Sequence, residues 1–168
     1  PGLSVLSYPS SSYTYFKDQK VVYQPDETLF QNTATYQSYL YFSGTTAGNG
    51  NDNGNTHTYN FSGGDLNTGS NITKDPISFV GDTELIDGAG YRLTFYLYDV
   101  AGNDRHAYWR NNIIYDKSAP RISSATTSTA NGTYKKDDQI SVTLNFNEAI
   151  YTSGVMDVVF TMDGTDQT

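Results

Sequence analysis

Apolar and polar residues alternate with a period of two along most of the chain. In the segment 91–98, alternate positions hold apolar or aromatic side chains, and the positions between them hold side chains with polar groups. The first face holds Tyr91, Leu93, Phe95 and Leu97, and the second holds Arg92, Thr94, Tyr96 and Tyr98. Residues 140–146 repeat the pattern, and no segment sustains the apolar spacing of a helix over 11 residues. The pattern therefore predicts an all-β chain.

Further strands are predicted wherever short alternating runs lie between turn signals. They cover residues 3–8, 20–24, 33–42, 57–62, 77–80, 107–115, 121–128 and 155–162. Turn pairs such as Asp87-Gly88 and Asn131-Gly132 separate them, and short strands at this spacing favour a β-sandwich. The connection 43–56 is long and almost without apolar residues, so we expect a mobile loop in solvent.

A domain boundary is predicted near Ser118. The stretch Asp116–Pro120 is polar and ends in a proline, which holds the preceding residue extended. Residues 1–118 contain about seven strands, enough to close a sandwich, whereas residues 119–168 contain about three, which would leave an apolar face bare. We therefore expect one complete domain followed by a partial second one. Its missing strands would come from further sequence or, by strand addition, from a neighbouring subunit.

Charge and composition exclude several classes of function. The 168 residues include 10 Lys and Arg against 18 Asp and Glu, which gives a net charge of -8. Without a basic run, nucleic acid is an unfavourable partner. The absence of cysteine excludes disulfides, thiolate metal sites and thiol nucleophiles. No apolar run approaches the roughly 18 residues of a transmembrane helix, so membrane insertion is not expected.

The order of motifs from residue 85 to residue 150 resembles bacterial immunoglobulin-like repeats of large surface proteins and adhesins. The segments 91–95, 99–103 and 114–120 are similar to the closing strands and linker of such a repeat. Asn131–Lys135, Asp138–Ile140 and Phe146–Ala149 are similar to the opening of the next. The resemblance implies an immunoglobulin-like sandwich, an extracellular or cell-surface location, tandem repetition, an architectural or adhesive role and, in some relatives, calcium at domain junctions.

Oxygen-bearing side chains around the predicted linker are candidates for a calcium site. The candidate ligands are Asp99, Asn103, Asp116, Asp137, Asp138 and Glu148. Calcium takes about 6 to 8 oxygen ligands, which two acidic loops with carbonyls and water could supply. The other interpretation is a plain turn, because Asp and Asn bond to their own backbone and Gly accepts positive φ.

Two further features suggest ligand contacts. The segment 49–54 imitates the start of an EF-hand, but only Asp52 is charged and the twelfth position is Asn60 instead of Glu, so we expect a loop whose tip could contact a ligand. The chain also has 15 Tyr, 8 Phe and 1 Trp, more rings than one core face needs. Tyr96, Tyr98 and Trp109 could stack on sugars or on a neighbouring subunit. Alternatively, the rings fill both sheets or form cross-strand pairs.

The sequence shows no convincing catalytic constellation. Neither His57 nor His106 has a recognisable nucleophile or metal-ligand signature around it, and neighbouring acids such as Asp137 and Asp138 would point to opposite faces of a strand. We therefore expect a non-catalytic structural or adhesive module within a tandem array, with neighbouring repeats as partners. The alternatives are a carbohydrate-binding module that recognises a glycan or a cell-surface ligand, and the subunit of an extracellular filament or sheath.

Overall fold

The computed structural model describes residues 1–12, 14–32, 36–150, 154, 157, 160–162 and 165–167. It divides the chain into two compact units, Pro1–Ser118 (unit 1) and Ala119–Thr168 (unit 2). Within the described ranges every regular element is a strand except for a single 3₁₀ turn at Gly63–Leu66, which confirms the all-β prediction. None of the elements in those ranges is a helix long and apolar enough to cross a membrane.

Unit 1 contains ten strands in three sheets. They are β1 (Leu3–Tyr8), β2 (Tyr15–Phe16), β3 (Val21–Pro25), β4 (Gln31–Asn32), β5 (Tyr36–Gln37), β6 (Tyr39–Gly48), β7 (Thr56–Asn60), β8 (Ile72–Lys74), β9 (Ala89–Tyr98) and β10 (Asp104–Tyr115). The strand orders are β1-β3-β8, β2-β10-β9-β6-β7 and β4-β5. All neighbouring strands are antiparallel except β2 and β10, which run parallel.

The core of unit 1 lies between the three-stranded and the five-stranded sheets, in a sandwich-like arrangement. The predicted inner face of β9 is confirmed, because Tyr91, Leu93, Phe95 and Leu97 are all fully buried. From the other sheet, the Tyr23 ring lies 5.4 Å from that of Phe95. Since each aromatic side chain buries a large area, these rings supply much of the hydrophobic stabilisation of unit 1.

The strand predictions differ in their outcomes. Residues 3–8 form a strand as predicted, whereas the short strands β2 and β8 are not predicted. Residues 77–80 form no strand, so that prediction is wrong. The backbone N–H of Ile77 donates to Gln19 and that of Val80 donates to Thr58, while Ile77 and Phe79 fill the core. Residues 33–35 of one predicted strand, and part of 155–159, lie outside the described residues.

The expectation of a mobile solvated loop at residues 43–56 is wrong. Strand β6 continues to Gly48, and the following residues return to the sheet through backbone hydrogen bonds. The N–H of Gly44 donates to Asn55, and the N–H groups of Asn49 and Gly50 both donate to the carbonyl of Gly88, at 2.9 Å in each case. The polar composition suggested a solvated loop, but backbone groups next to the start of β9 accept hydrogen bonds from this segment in place of water.

Unit 2 contains β11 (Ile122–Thr127), β12 (Val142–Phe146), β13 (Phe160–Met162) and β14 (Thr165–Gln167). Strands β11 and β12 pair antiparallel, as do β13 and β14. All six residues of β11 are exposed. That this unit is the start of an incomplete domain stays a prediction.

Candidate functional site

Six ring side chains gather on the face of the five-stranded sheet that lies opposite the core. We call this group the outer tyrosine face, and its members are Tyr36, Tyr39, Tyr41, Tyr96, Tyr98 and His106. Strand register creates it, because Tyr39 of β6 pairs with Tyr96 of β9, and Tyr96 pairs with His106 of β10. Directly opposed residues of antiparallel strands share a face, so their rings are brought side by side.

The rings of this face pack mainly against one another. Tyr39 and Tyr96 are stacked with centroids 5.3 Å apart and planes only 8° apart. Tyr98 lies 5.2 Å from Tyr96 and 5.3 Å from Tyr36, and His106 meets Tyr96 edge to face at 4.3 Å. Because Tyr39 and Tyr96 each cover a face of the other ring, the structure favours cross-strand pairing over a flat stacking platform at these two residues.

The hydroxyl groups of Tyr39 and Tyr96 are held in the neutral form. Tyr96 donates to Asp104 Oδ2 at 2.7 Å, and this hydrogen bond, together with Tyr98, raises the pKa of Tyr96. Burial, with contributions from Tyr41 and Tyr98, raises the pKa of Tyr39. Neutral phenols both donate and accept hydrogen bonds, so this face presents aromatic carbon and uncharged polar edges together.

An open depression of about 420 Å³ lies at one side of this face. It is lined by Gln37, Tyr39, Thr58, Asn60 and Tyr98. The lining offers two amides, one aliphatic hydroxyl and two phenols, and it contains no Asp, Glu, Lys, Arg or His side chain. Its volume falls within the range of about 300 to 1,000 Å³ that is typical of ligand sites.

The predicted ligand contacts divide between the depression and other places. Tyr98 lines the depression, and Tyr96 packs its ring against those of the lining residues Tyr39 and Tyr98. The backbone of Trp109 pairs with Thr94 in β10 and β9, but the side chains of residues 107–109 lie outside the described residues. Asp52 is not on an exposed tip, because its side chain is only 4% exposed.

Four lining residues were not among the predicted contacts, namely Gln37, Tyr39, Thr58 and Asn60. Thr58 pairs with Tyr41 and Asn60 pairs with Tyr39, so their place on the outer face follows from the register of β6 and β7. Because His57 is buried, the alternation of residues 57–60 along the strand predicts that Thr58 and Asn60 lie on the outer face. It becomes useful only once the partner strand and the register are known.

Asp52 instead lies at the centre of a buried polar network. Its Oδ2 accepts a hydrogen bond from the Tyr91 hydroxyl and lies 2.6 Å from His57 Nε2, while Asn55 Nδ2 donates to Oδ1 at 2.7 Å. On the other side of the imidazole ring, His57 Nδ1 lies 3.0 Å from Thr83 Oγ1. The sequence around His57 shows no nucleophile or metal-ligand signature, and its two partners, Asp52 and Thr83, come from separate segments on either side of β7. The network ties the segment 49–56 to the inner face of β9.

The electrostatics of Asp52 reflect two opposing causes. Burial acts to raise the pKa of this carboxyl, but the hydrogen bonds from Tyr91, Asn55 and His57 outweigh it and lower the pKa. The pKa of Tyr91 is raised, first by burial and then by its hydrogen bond to Asp52. The ionised carboxylate and the neutral phenol are therefore the forms that this network stabilises.

Asp99 and Asn103 form a self-contained turn between β9 and β10. Asp99 Oδ1 accepts the N–H groups of Ala101 and Asn103 at 2.9 Å, and Oδ2 accepts the side-chain amide of Asn103 at 2.7 Å. The hydrogen bond from the Asn103 side chain lowers the pKa of Asp99 most, and the two backbone N–H groups lower it further. This geometry matches the interpretation as a plain turn.

Asp116 lies at the opposite end of β10 from that turn. The strand is 12 residues long. At about 3.3 Å per residue this amounts to roughly 35 Å. Calcium ligands lie about 2.3 to 2.6 Å from the ion, so one ion does not bind Asp99 and Asp116 together. The expectation that Asp99 and Asn103 lie beside the linker is wrong because the whole strand separates them from it.

The three remaining calcium candidates lie in unit 2. Asp138 Oδ2 accepts the N–H of Lys135 at 2.9 Å, and Asp137 has a φ of 72° in the same exposed turn. Glu148 is half-buried on the segment after β12, and its Oε1 is buried. Within the ranges that the structure describes, no three His, Asp or Glu side chains are grouped so as to hold a metal ion. Calcium binding stays a prediction.

The end of β10 that leads to unit 2 is fastened by the turn before β9. We call residues 86–89 and 115–118 the linker base. Asp87 Oδ1 accepts the N–H of Lys117 at 2.8 Å, and Oδ2 accepts the Ser118 hydroxyl. The N–H of Gly88 donates to the carbonyl of Tyr115 at 2.7 Å. The Ser118 hydrogen bond, followed by the Lys117 backbone N–H, lowers the pKa of Asp87, so the carboxylate form makes these contacts.

Comparison with known proteins yields no match to a protein-family model, to a curated protein or to a solved structure.

Proposed function

We propose that the chain is part of a tandem array of immunoglobulin-like domains in an extracellular bacterial surface protein, where it serves as a non-catalytic spacer or adhesive module. The strand order supports this proposal. Under this proposal, strands β10, β9 and β6, extended by β7, take the places of the G, F and C strands of a variable-type immunoglobulin sheet with one added strand. Strands β1 and β3 begin the facing sheet.

The observation that carries the proposal is the linker base. Ser118 is hydrogen-bonded within unit 1 to Asp87. In unit 2, the N–H of Arg121 donates to Asn147 Oδ1 at 2.6 Å, and the N–H of Asn147 returns a hydrogen bond to the Arg121 carbonyl. Only Ala119 and Pro120 lie between these fastened residues, and the proline ring fixes one of the few free dihedral angles. Such a joint suits a spacer, because a short and restricted linker transmits orientation.

The pairing of β2 with β10 also suits a module that is pulled from both ends. The N–H of Ile114 donates to Thr14, and the N–H of Asp116 donates to Phe16. Because β2 and β10 run parallel, tension between the start and the end of unit 1 loads these hydrogen bonds together in shear. Arg110 Nη2 adds a bond to the carbonyl of Leu6 at 3.2 Å.

Rotational diffusion of the two units, measured by ¹⁵N relaxation of the whole chain, tests the spacer proposal. We expect one shared correlation time in the unmodified chain and two distinct ones in Asp87→Ala, which frees Lys117 and Ser118. Asp104→Ala is the control, because it removes an exposed hydrogen-bonding carboxylate at the opposite end of β10 from the linker base. Independent tumbling of the units in the unmodified chain would contradict the proposal.

A further inference from the structure

We propose that the depression on the outer tyrosine face binds an uncharged oligosaccharide. This assignment does not depend on the tandem-array proposal, because it concerns a surface of unit 1 alone. It rests on three observations, which are the chemistry of the lining, the bracing of its rings and the sign of the surrounding charge.

The lining matches the surface of a neutral sugar. Gln37 and Asn60 each offer an amide oxygen and an NH₂ group, and Thr58 offers a hydroxyl that donates and accepts. Sugar hydroxyls also donate and accept, so paired hydrogen bonds with such groups leave few polar atoms unsatisfied. Tyr98 adds aromatic carbon for the C–H face of a sugar ring, and Tyr39 and Tyr98 both add a phenol edge.

The tyrosines of the depression are held in place before any ligand arrives. Tyr39 is stacked on Tyr96 and tilted against Tyr41 at 5.9 Å. Tyr98 is wedged between the rings of Tyr96 and Tyr36. Tyr98 is also fixed through its backbone, since its N–H donates to the Ser38 hydroxyl at 2.9 Å. Ordering such side chains on binding therefore costs little conformational entropy, which favours a ligand that binds through many individually weak contacts.

The charge distribution selects against acidic sugars. No cationic side chain lines the depression, and the Asp104 carboxylate accepts the hydroxyl of Tyr96 on the same face. The chain as a whole carries a net charge of -8. A uronate or a sialylated chain would meet repulsion without a compensating ion pair, whereas a neutral hexose chain would not.

Titration of the whole chain with defined oligosaccharides, followed by ¹H–¹⁵N chemical-shift changes, tests the proposal. The neutral probes are cellohexaose, maltohexaose, xylohexaose and mannohexaose, and the other two are trigalacturonate and a proline-rich decapeptide. We expect at least one neutral probe to shift the amide signals of residues 37–39, 58–60 and 96–98. Asn60→Ala and Thr58→Ala should each weaken that binding by about fivefold to tenfold, the usual effect of losing one hydrogen-bonding partner.

The matched controls are Asn71→Ala and Thr73→Ala, which change the same residue types at exposed positions at or next to β8 in the other sheet. Tyr98→Phe keeps the ring packing and removes only the hydroxyl, so a weaker affinity with an unchanged melting temperature would support direct contact.

Three results would overturn the proposal. They are no shift with any neutral probe, equal loss of binding in the control variants, and tighter binding of trigalacturonate or the peptide.

Discussion

Two segments rich in Asn, Asp and Gly connect strands of unit 1, and their aspartates find partners at different distances along the chain. In the turn 99–103, the Asp99 carboxylate accepts its hydrogen bonds from Ala101 and Asn103, which lie within four residues of it. In the segment 43–56, Asp52 is bound by Asn55 and His57 nearby but also by Tyr91, which is 39 residues away. The first carboxylate is exposed, whereas the second is buried beside the core.

This difference shows that composition alone does not distinguish an independent turn from a segment that is part of the core. A turn satisfied by its own residues forms and opens without disturbing the sheets. The segment 43–56 makes all its hydrogen bonds only when β9 has folded. The Asp52 carboxylate accepts from Tyr91 in β9, and the N–H groups of Asn49 and Gly50 donate to Gly88 next to β9. Substitutions in the two segments should therefore change global stability by very different amounts.

The largest effect is expected from Gly44→Ala. A Cβ at this position would lie 1.8 Å from the backbone carbonyl oxygen of Asp52, so the backbone of one segment must move. We expect a loss of about 3 kcal/mol or more in the free energy of unfolding, at the upper end of overpacking effects. Urea-induced unfolding followed by tyrosine fluorescence measures it.

Gly64→Ala is the matched control for that substitution. Nothing lies within 4 Å of a Cβ at Gly64, and its φ is not in the left-handed region. The free energy of unfolding of the Gly64→Ala variant should stay within about 0.5 kcal/mol of that of the unmodified chain. Equal stability of the Gly44 and Gly64 variants would show that the segment 43–56 is not packed as described.

A smaller loss is expected from Asp52→Asn. The amide keeps the shape of the side chain, but it replaces a charged acceptor shared by Tyr91 and His57 with a neutral group. We expect about 2 kcal/mol of destabilisation at neutral pH, because buried hydrogen bonds to a charged group are lost or weakened. The same urea titration measures the difference.

The pH dependence sharpens this prediction. The pKa of Asp52 is lower in the folded chain than its ordinary value of about 3.9, so the unfolded chain binds the proton more readily. The stabilisation of the folded chain by ionised Asp52 is therefore fully present above pH of about 4, and it is lost as the pH falls through the pKa of Asp52 in the folded chain. The stability difference between the unmodified chain and Asp52→Asn should shrink as the pH falls from 6 toward 3. A constant difference would assign the effect to shape rather than charge.

The sequence supports the strands better than the sites, for a physical reason. Period-two alternation is a local property, so β1 and the buried face of β9 follow directly from it. Strands of two or three residues, such as β2 and β8, are too short to show a period. Residues 77–80 have the composition of a strand, but they bond to Gln19 and Thr58 in irregular geometry.

Site prediction is limited by pairing rather than by residue type. The excess of tyrosine indicated Tyr96 and Tyr98, because ring content and alternation can be counted in the sequence. The juxtaposition of Asn60 with Tyr39 depends on the register between β6 and β7, which the sequence of either strand does not determine. The burial of Asp52 depends in the same way on Tyr91 and Thr83, which follow it at long range.

The smallest global effect is expected from Asp99→Ala. This side chain is fully exposed and binds only its own turn, so the urea midpoint should not move measurably. The local effect is larger, because the N–H groups of Ala101 and Asn103 lose their acceptor and should exchange faster with deuterium. Hydrogen–deuterium exchange of these two amides measures it, with Asp138→Ala as the corresponding change in an exposed turn of unit 2.

The same exchange measurement, repeated with millimolar calcium, separates the two interpretations of the turn 99–103. If Asp99 only caps the turn, calcium should leave the exchange of Ala101 and Asn103 unchanged. If Asp99 binds calcium, the ion should slow exchange in the unmodified chain and not in Asp99→Ala, since extracellular sites of about 10⁻⁴ to 10⁻³ M affinity are partly filled at that concentration. A drop in global stability comparable to that of Asp52→Asn would contradict the distinction between the two segments, because it would make the turn part of the core.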